Sequence, residues 1–291
     1  MTEASDEQTK QGVALAVAAD PPEQTELLRA AARLAVDLDL PLVEKPVKSG
    51  YDMLLTATPG RLELRILRGD AQLKGGKAVA VELDALDTTS PAGRSLKQPI
   101  AKAIGLKRLK DLPITVIDAT AGWGEDAWLL ASLGCHVLAV ERHPVVATLL
   151  RDGLLRAGAA QPAMLSRLSV VTADARHLLR RIARRHEDEQ ALRDLPASMR
   201  DFLEPDVVYL DPMFPGADAR KAAERKPLRV LRKLVGDDGD ARELFDWALL
   251  VARRRVVVKR PNKAPPIREA DPKPTTAFAG KGFRFDVYVV K

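Results

Sequence analysis

The chain has 291 residues, 46% of them apolar and 30% charged, with a net charge of +6. That length admits one large or two modest domains with ample core, and the composition is that of a soluble globular protein. The single cysteine, Cys135, excludes an internal disulfide and a cysteine-based zinc site, which fits a reducing compartment. No apolar run approaches the roughly 20 residues that span a bilayer. Met1 to Lys10 also lacks the basic and apolar segments of a secretory signal, so a cytoplasmic location and no membrane partner are expected. The four histidines show no ligand-like spacing, and no metal is expected.

The charge is unevenly spread. Residues 1–112 hold 16 basic and 16 acidic side chains, whereas residues 113–291 hold 30 basic and 24 acidic. The excess falls in clusters at Arg176 to Arg185, Arg225 to Lys233 and Arg253 to Arg260. Basic excess on one half of a chain points to a polyanionic substrate, although arginine-rich helices are also ordinary solvated faces.

In chain order, residues 1–24 are expected to be a disordered tail. Residues 25–112 read as a small α+β domain. Its pieces are a helix over Glu26 to Leu38, a β-hairpin from Tyr51 to Ala57 and Leu62 to Leu67, and a strand over Ala78 to Leu83. A polar connector, Asp87 to Gln98, leads to a basic segment with a short helix over Ile100 to Ile104. From residue 113 onward, strands and helices alternate. Strands are expected over Ile114 to Ile117, His136 to Val140, Leu168 to Thr172, Asp206 to Leu210 and Arg255 to Lys259. Helices are expected over Glu125 to Leu133, Pro144 to Leu155, His177 to His186, Leu228 to Val235 and Ala241 to Ala252. Segments Thr275 to Ala279 and Phe283 to Val290 form a terminal hairpin. This pattern gives an α/β fold over 113–291, with a mostly parallel sheet containing one antiparallel strand.

The first βα turn, Asp118-Ala-Thr-Ala-Gly-Trp-Gly-Glu-Asp126, carries the strongest signal. Gly122 and Gly124 let backbone approach a ligand, and the helix start supplies unpaired N–H groups. Gly122-x-Gly124-x-x-Ala127 with Glu141 nearly matches a dinucleotide fingerprint, so an NAD(P)-dependent oxidoreductase is one reading. Asp118 argues otherwise. A carboxylate against the turn repels a pyrophosphate but attracts a cation, and S-adenosylmethionine carries an amine and a sulfonium. Asp118, Glu141, Asp174 and Asp211 each end a consecutive strand, where ligands of such sheets bind. Glu141 is suited to ribose hydroxyls, Asp174 to an adenine amine, and Asp118, Glu125 and Asp126 to the methionine portion. Each acid singly is as well explained as a helix cap.

Asp211-Pro212-Met213-Phe214-Pro215 follows the wholly apolar Val207-Val-Tyr-Leu210. Methyl transfer to an exocyclic base amine needs acceptors for the amine hydrogens and alignment of the nitrogen, and little covalent chemistry. Asp211 and the Pro212 carbonyl suit the first role, and Phe214 can stack on an extruded base. Lys259-Arg260-Pro261 reads either as a phosphate contact or as ordinary charge at a strand end.

Four stretches taken together, Asp118 to Gly124, Val140 to Val146, Val207 to Pro215 and Arg255 to Pro261, resemble the small-subunit ribosomal RNA methyltransferase J family. Gly280 to Tyr288 and Leu62 to Arg65 are similar to it as well. The resemblance implies a Rossmann-like class I methyltransferase that uses S-adenosylmethionine to methylate N2 of a guanine in 16S rRNA, with small-subunit rRNA or the 30S particle as partner. The family's cofactor contacts would fall on Glu125-Asp126, Glu141-Arg142, Asp174-Ala175 and Asp211. A non-catalytic RNA-binding or ribosome assembly factor is the remaining alternative.

Overall fold

The computed structural model describes residues 13–43, 50–69, 77–106, 113–185, 197–213, 226–236, 238–268 and 272–290. Expectations for 1–12, 107–112, 187–196 and 214–225, Phe214 among them, lie outside the described residues. The chain divides into two compact units: Met1–Ala80 with Arg225–Leu234, and Val81–Glu224 with Val235–Lys291.

The first unit is a four-stranded sheet in the order β2-β1-β3-β4. Its strands are β1 (Leu15–Ala19), β2 (Leu42–Val43), β3 (Met53–Ala57) and β4 (Leu62–Ile66). β3 and β4 form the expected antiparallel hairpin, with Leu55 opposite Leu64. Helix α1 (Thr25–Asp37) buries Ala31 and Ala35. β1 corrects the expectation of a disordered tail over 1–24 for the described residues, from 13 onward. Leu15-Ala-Val-Ala-Ala19 is small and apolar, and Val17 pairs with Leu42 on one edge and Leu55 on the other. A strand hydrogen-bonded on both edges and buried along most of its length is held by long-range partners that a polar flanking sequence conceals. The strand expected over Ala78 to Leu83 is only an isolated bridge from Val79 to Leu64, followed by a short 3₁₀ turn, Leu83–Ala85. The helix Lys226–Val235 lies largely in this unit, and the Lys226 ammonium donates to the Lys77 carbonyl at 2.9 Å.

The second unit begins at Val81, well before the domain boundary expected at 112. Its early part is held by later elements of the same unit. The Arg156 guanidinium donates to the Val81 carbonyl and to Glu82, and Arg255 donates to the Ala103 carbonyl at 3.0 Å, at the end of helix α2 (Pro99–Ile104).

The unit's seven strands are β5 (Thr115–Asp118), β6 (His136–Glu141), β7 (Leu168–Thr172), β8 (Val207–Leu210), β9 (Arg255–Pro261), β10 (Thr276–Ala279) and β11 (Phe283–Val289). They lie in the order β10-β11-β9-β8-β5-β6-β7, and β11 alone runs against the others. This is the expected mostly parallel sheet with one antiparallel strand. The chain leaves β5 toward β6 on one side and returns through β8 on the other, so the ends of β5 and β8 flank the switch point where such sheets bind ligands.

Helices α3 (Glu125–Ser132), α4 (Pro144–Ala160), α5 (Pro162–Leu165), α6 (Ala175–Ala183), α7 (Lys226–Val235) and α8 (Ala241–Val251) follow in order. The central strands are continuous apolar runs because both faces are covered. Val207, Val208, Tyr209 and Leu210 are all fully buried. One side of the core joins Ile117, Leu138 and Val208 to Leu179, Phe245 and Tyr288.

α4 runs five residues beyond its expected end at Leu155. Glycines at 153 and 158 weaken the helical signal there, but each admits a close neighbour. A β-carbon on Gly153 would stand 2.5 Å from Val81 Cγ1 and 2.8 Å from the Val81 carbonyl oxygen. Alanine is the better helix former by about 1 kcal/mol, whereas forcing a methyl into packed backbone costs about 1–3 kcal/mol. Gly153→Ala is therefore expected to lower the melting temperature, and an unchanged or raised midpoint in a calorimetric scan would refute this packing.

Candidate active site

The turn after β5 is built by two residues that require left-handed backbone. Gly122 has φ of 52° and Gly124 φ of 77°, values that a side chain would strain. A β-carbon on Gly124 would also meet Leu150 Cδ1 at 2.3 Å. Gly124 is the residue at which α3 begins, and Glu125 and Asp126 occupy the first helical turn, where negative charge is favoured.

Two strand-end carboxylates hold this turn from below. Glu141 Oε2 accepts the Gly122 N–H at 2.9 Å, and its Oε1 accepts the His143 N–H at 2.7 Å. Burial lifts the Glu141 carboxyl above the usual range, while the His143 and Gly122 N–H groups oppose the shift. Asp118 is 1% exposed, and its Oδ1 accepts the Thr120 N–H at 3.2 Å. Among the described residues no cation reaches salt-bridge distance of it. Burial, with Asp126 adding to it, pushes the Asp118 carboxyl well up.

The next strand end brings Asp211 beside this pair. β8 pairs with β5 in the register Asp118 to Tyr209, and the Asp211 N–H donates to Thr120 Oγ1 at 2.6 Å. The Asp211 side chain is 42% exposed, so one edge faces outward. Desolvation raises its carboxyl above the ordinary value; Lys259 pulls it down and Asp126 pushes it up. Pro212 is buried, and the following Met213 is fixed on both sides. The Met213 N–H donates to Asp238 Oδ2 at 2.6 Å, and the Asp238 N–H donates back to the Met213 carbonyl at 2.9 Å.

The structure thus brings Asp118, Gly122, Gly124, Asp126, Glu141 and Asp211 together at one end of the sheet. Glu125 stands at the start of α3 and is exposed. Arg142 points its guanidinium to Asp238 and Asp240. Asp174 caps α6: Oδ1 accepts the Arg176 N–H at 2.9 Å, and the Arg176 guanidinium closes on Oδ2 at 2.6 Å. The Arg176 hydrogen bond holds the Asp174 carboxyl below its usual range. Ala175 is the first residue of that helix and is buried.

One participant, Tyr209, escapes the sequence reading, and another, Lys259, stands elsewhere than that reading put it. The Lys259 ammonium lies 2.7 Å from Asp126 Oδ2 and 3.0 Å from Asp211 Oδ2, inside the cluster and not at a phosphate-facing edge. The Tyr209 hydroxyl donates to Asp126 Oδ2 at 2.6 Å. A tyrosine in a fully buried strand needs a hydrogen-bond partner, and that requirement was the available signal. Asp238 and Asp240 left no pattern at all.

The arrangement holds three carboxylates, Asp118, Asp126 and Asp211, against one ammonium. Such a cluster favours a cation over a pyrophosphate, which weakens the electrostatic basis of the dinucleotide reading. No helix among the described residues is long and apolar enough to cross a membrane.

Comparison with known proteins agrees over nearly the whole chain. A model of the family described as "Putative SAM-dependent methyltransferase" matches residues 40–290. A protein of Chromobacterium violaceum named ribosomal RNA small subunit methyltransferase J is 39% identical over 270 residues, covering 91% of this chain and 93% of its own. The protein of that name in Vibrio parahaemolyticus is 41% identical, covering 93% of this chain and 95% of its own. The crystal structure of a SAM-dependent methyltransferase from Neisseria gonorrhoeae is similar with a TM-score of 0.63 and 29% identity, over 94% of this chain and 95% of that one. These matches leave the oxidoreductase reading unsupported: the chain belongs to the ribosomal RNA small subunit methyltransferase J family of SAM-dependent methyltransferases.

Proposed function

We propose that the protein binds S-adenosylmethionine against the Asp118–Asp126 turn and methylates the exocyclic N2 amine of a guanine in small-subunit rRNA. The observation that carries this reading is Asp118, a buried carboxylate beneath a glycine turn with no cation at salt-bridge distance among the described residues. A ligand bearing an ammonium and a sulfonium supplies the missing positive charge. Glycine at 122 and 124 permits the positive φ of the turn, and at 124 it also avoids a clash with Leu150. When bound, the cofactor supplies the methyl electrophile.

The chain's own residues divide the remaining work. Asp118 and the backbone of Gly122 and Gly124, with Glu125 and Asp126, hold the methionine portion. Glu141 and Arg142 lie at the strand end suited to the ribose. The Asp174 carboxylate is already occupied by Arg176. Ala175 therefore suits the adenine edge better, through the unpaired N–H of a first helical residue. The open edge of Asp211 and the Pro212 carbonyl accept the amine hydrogens. This favours the pyramidal nitrogen and aims its lone pair. Phe214, next along the loop, is the proposed stacking face for the base.

The rRNA substrate rests on the names of the relatives and on the basic excess of residues 113–291. Mass spectrometry of rRNA from a deletion strain tests it directly. A methylguanine mark should vanish from the small-subunit RNA and return with the wild-type gene.

Two substitutions separate cofactor binding from transfer. Asp118→Asn removes the charge but keeps the shape, and calorimetry should show S-adenosylmethionine affinity reduced at least about tenfold, ~1.4 kcal/mol. Affinity equal to wild type would refute the cationic-ligand argument. Asp211→Ala should lower the transfer rate by roughly 10²–10³, the usual effect of deleting one preorganised polar partner, with a much smaller loss of cofactor affinity. If Asp211→Ala restored the rRNA mark fully in the deletion strain, a non-catalytic RNA-binding or assembly role would be the better reading.

A further inference from the structure

Lys259 ends a run of three fully buried valines on β9. Its stem is carried inward, and its side chain is 24% exposed. The ammonium touches two carboxylates from two other elements, Asp126 at 2.7 Å on the first turn of α3 and Asp211 at 3.0 Å after β8. It also stands 5.4 Å from the centre of the Phe283 ring on β11, within the range of a cation–π contact. Phe283 is itself braced edge-on by Phe285 at 5.3 Å. One cation therefore joins the helix that starts at the cofactor turn to the acid that follows the substrate strand.

The geometry leaves Asp211 with a division of labour between its two oxygens. Oδ2 meets Lys259, and the side chain keeps an exposed edge. The backbone is pinned separately, through the Asp211 N–H on Thr120. Without the ammonium, Asp211 would face Asp118, Asp126 and Asp238, and among the described residues Asp126 would keep only the Tyr209 hydroxyl. Like charges so placed rotate apart or take up a proton. A protonated carboxyl is a poor acceptor for an amine.

We infer that Lys259 is a positioning residue for methyl transfer, whose ammonium anchors one oxygen of Asp211 so that the other is presented, ionised, to the target amine. This rests on the role proposed above for Asp211. Burial draws the lysine's own proton affinity down, but Asp211 and Asp126 together raise it above the ordinary value, so the group stays charged throughout the working pH range. It is no proton acceptor in the reaction.

The full-length protein carrying Lys259→Met tests this with three measurements. S-adenosylmethionine binding by calorimetry should fall far less than the rate, by no more than about tenfold, because Asp118 and the glycine turn are untouched and Asp126 alone among the proposed cofactor residues loses a partner. Single-turnover methylation of small-subunit rRNA should fall about 100-fold. The acid limb of that rate, and the Asp211 carboxyl titration followed by NMR, should both move to higher pH by about one unit or more, since the cation that lowers the Asp211 value is gone. Lys259→Arg keeps the charge and should return the acid limb close to its wild-type position while recovering only part of the rate. It also carries the test if Lys259→Met melts early. An Asp211 titration and acid limb unmoved in Lys259→Met would overturn the inference, as would a loss of cofactor affinity as large as the loss of rate. A wild-type protein that transfers no methyl to rRNA would sink the functional reading instead. The NMR titration would then judge the lysine alone: a rise upholds its hold on Asp211 and no change refutes it.

Discussion

The site depends on an imbalance of charge at the switch point of the sheet. Three carboxylates gather there around one ammonium that reaches two of them, Asp126 and Asp211, and the most buried, Asp118, has among the described residues only the Thr120 backbone N–H at hydrogen-bond distance. An uncompensated buried carboxylate is costly in a folded protein. It is tolerated where a ligand of opposite charge completes the arrangement, and perturbed acids in a cleft are the usual mark of a working site. The same imbalance defines what the cleft rejects. A pyrophosphate brought to this turn would meet carboxylates that the proposed sulfonium and ammonium would satisfy.

The fold prepares this cleft before any ligand arrives. β5 lies between β6 and β8, so its turn has an acid on either side. Glu141 reaches across from β6 to take the Gly122 N–H, and Thr120 in the turn itself takes the Asp211 N–H from the β8 side. The turn is thereby stitched to both neighbouring strands. Its conformation needs the positive φ of Gly122 and Gly124, and those hydrogen bonds keep it in that conformation. Preorganisation of this kind lets polar groups act on a reacting atom without first having to rearrange.

Much of this was legible in the sequence, and the reasons are specific. Strands covered on both faces read as unbroken apolar runs, so the acids that end them stand out as punctuation: Asp118, Glu141, Asp174 and Asp211 were all found in that way. The glycine turn is local in sequence and has a known shape. β1 was missed because Leu15 to Ala19 is short, lies in a polar context, and becomes a strand only through partners far along the chain, Leu42 and Met53 to Ala57. Lys259 was located but not understood, since a lysine at a strand end turns outward or inward according to its register with neighbours. Here the register with β8 and β11 sends it toward Asp126 and Asp211. Asp174 is the acid for which the helix cap, the other reading open in the sequence, is what the structure displays. Its place at a strand end suggested a ligand contact, while a local hydrogen bond to the Arg176 N–H makes it a helix cap.

Arg142 and Asp238 add the last connection. Sequence resemblance places Arg142 among the cofactor contacts, yet its guanidinium leaves β6 to pair with Asp238 and Asp240. Asp238 in turn exchanges hydrogen bonds with both backbone groups of Met213, two residues after Asp211. Arg142 is 32% exposed and Asp238 12%, so this ion pair is largely withdrawn from solvent. Its value is geometric. The end of β6 and the loop after β8 lie on opposite sides of β5, and a bidentate cation with a carboxylate between them fixes their spacing. A residue that would serve the cofactor is by this route also a strut for the substrate loop. The two sides of the site are thus joined by two ion pairs, Arg142 with Asp238 and Lys259 with Asp126 and Asp211.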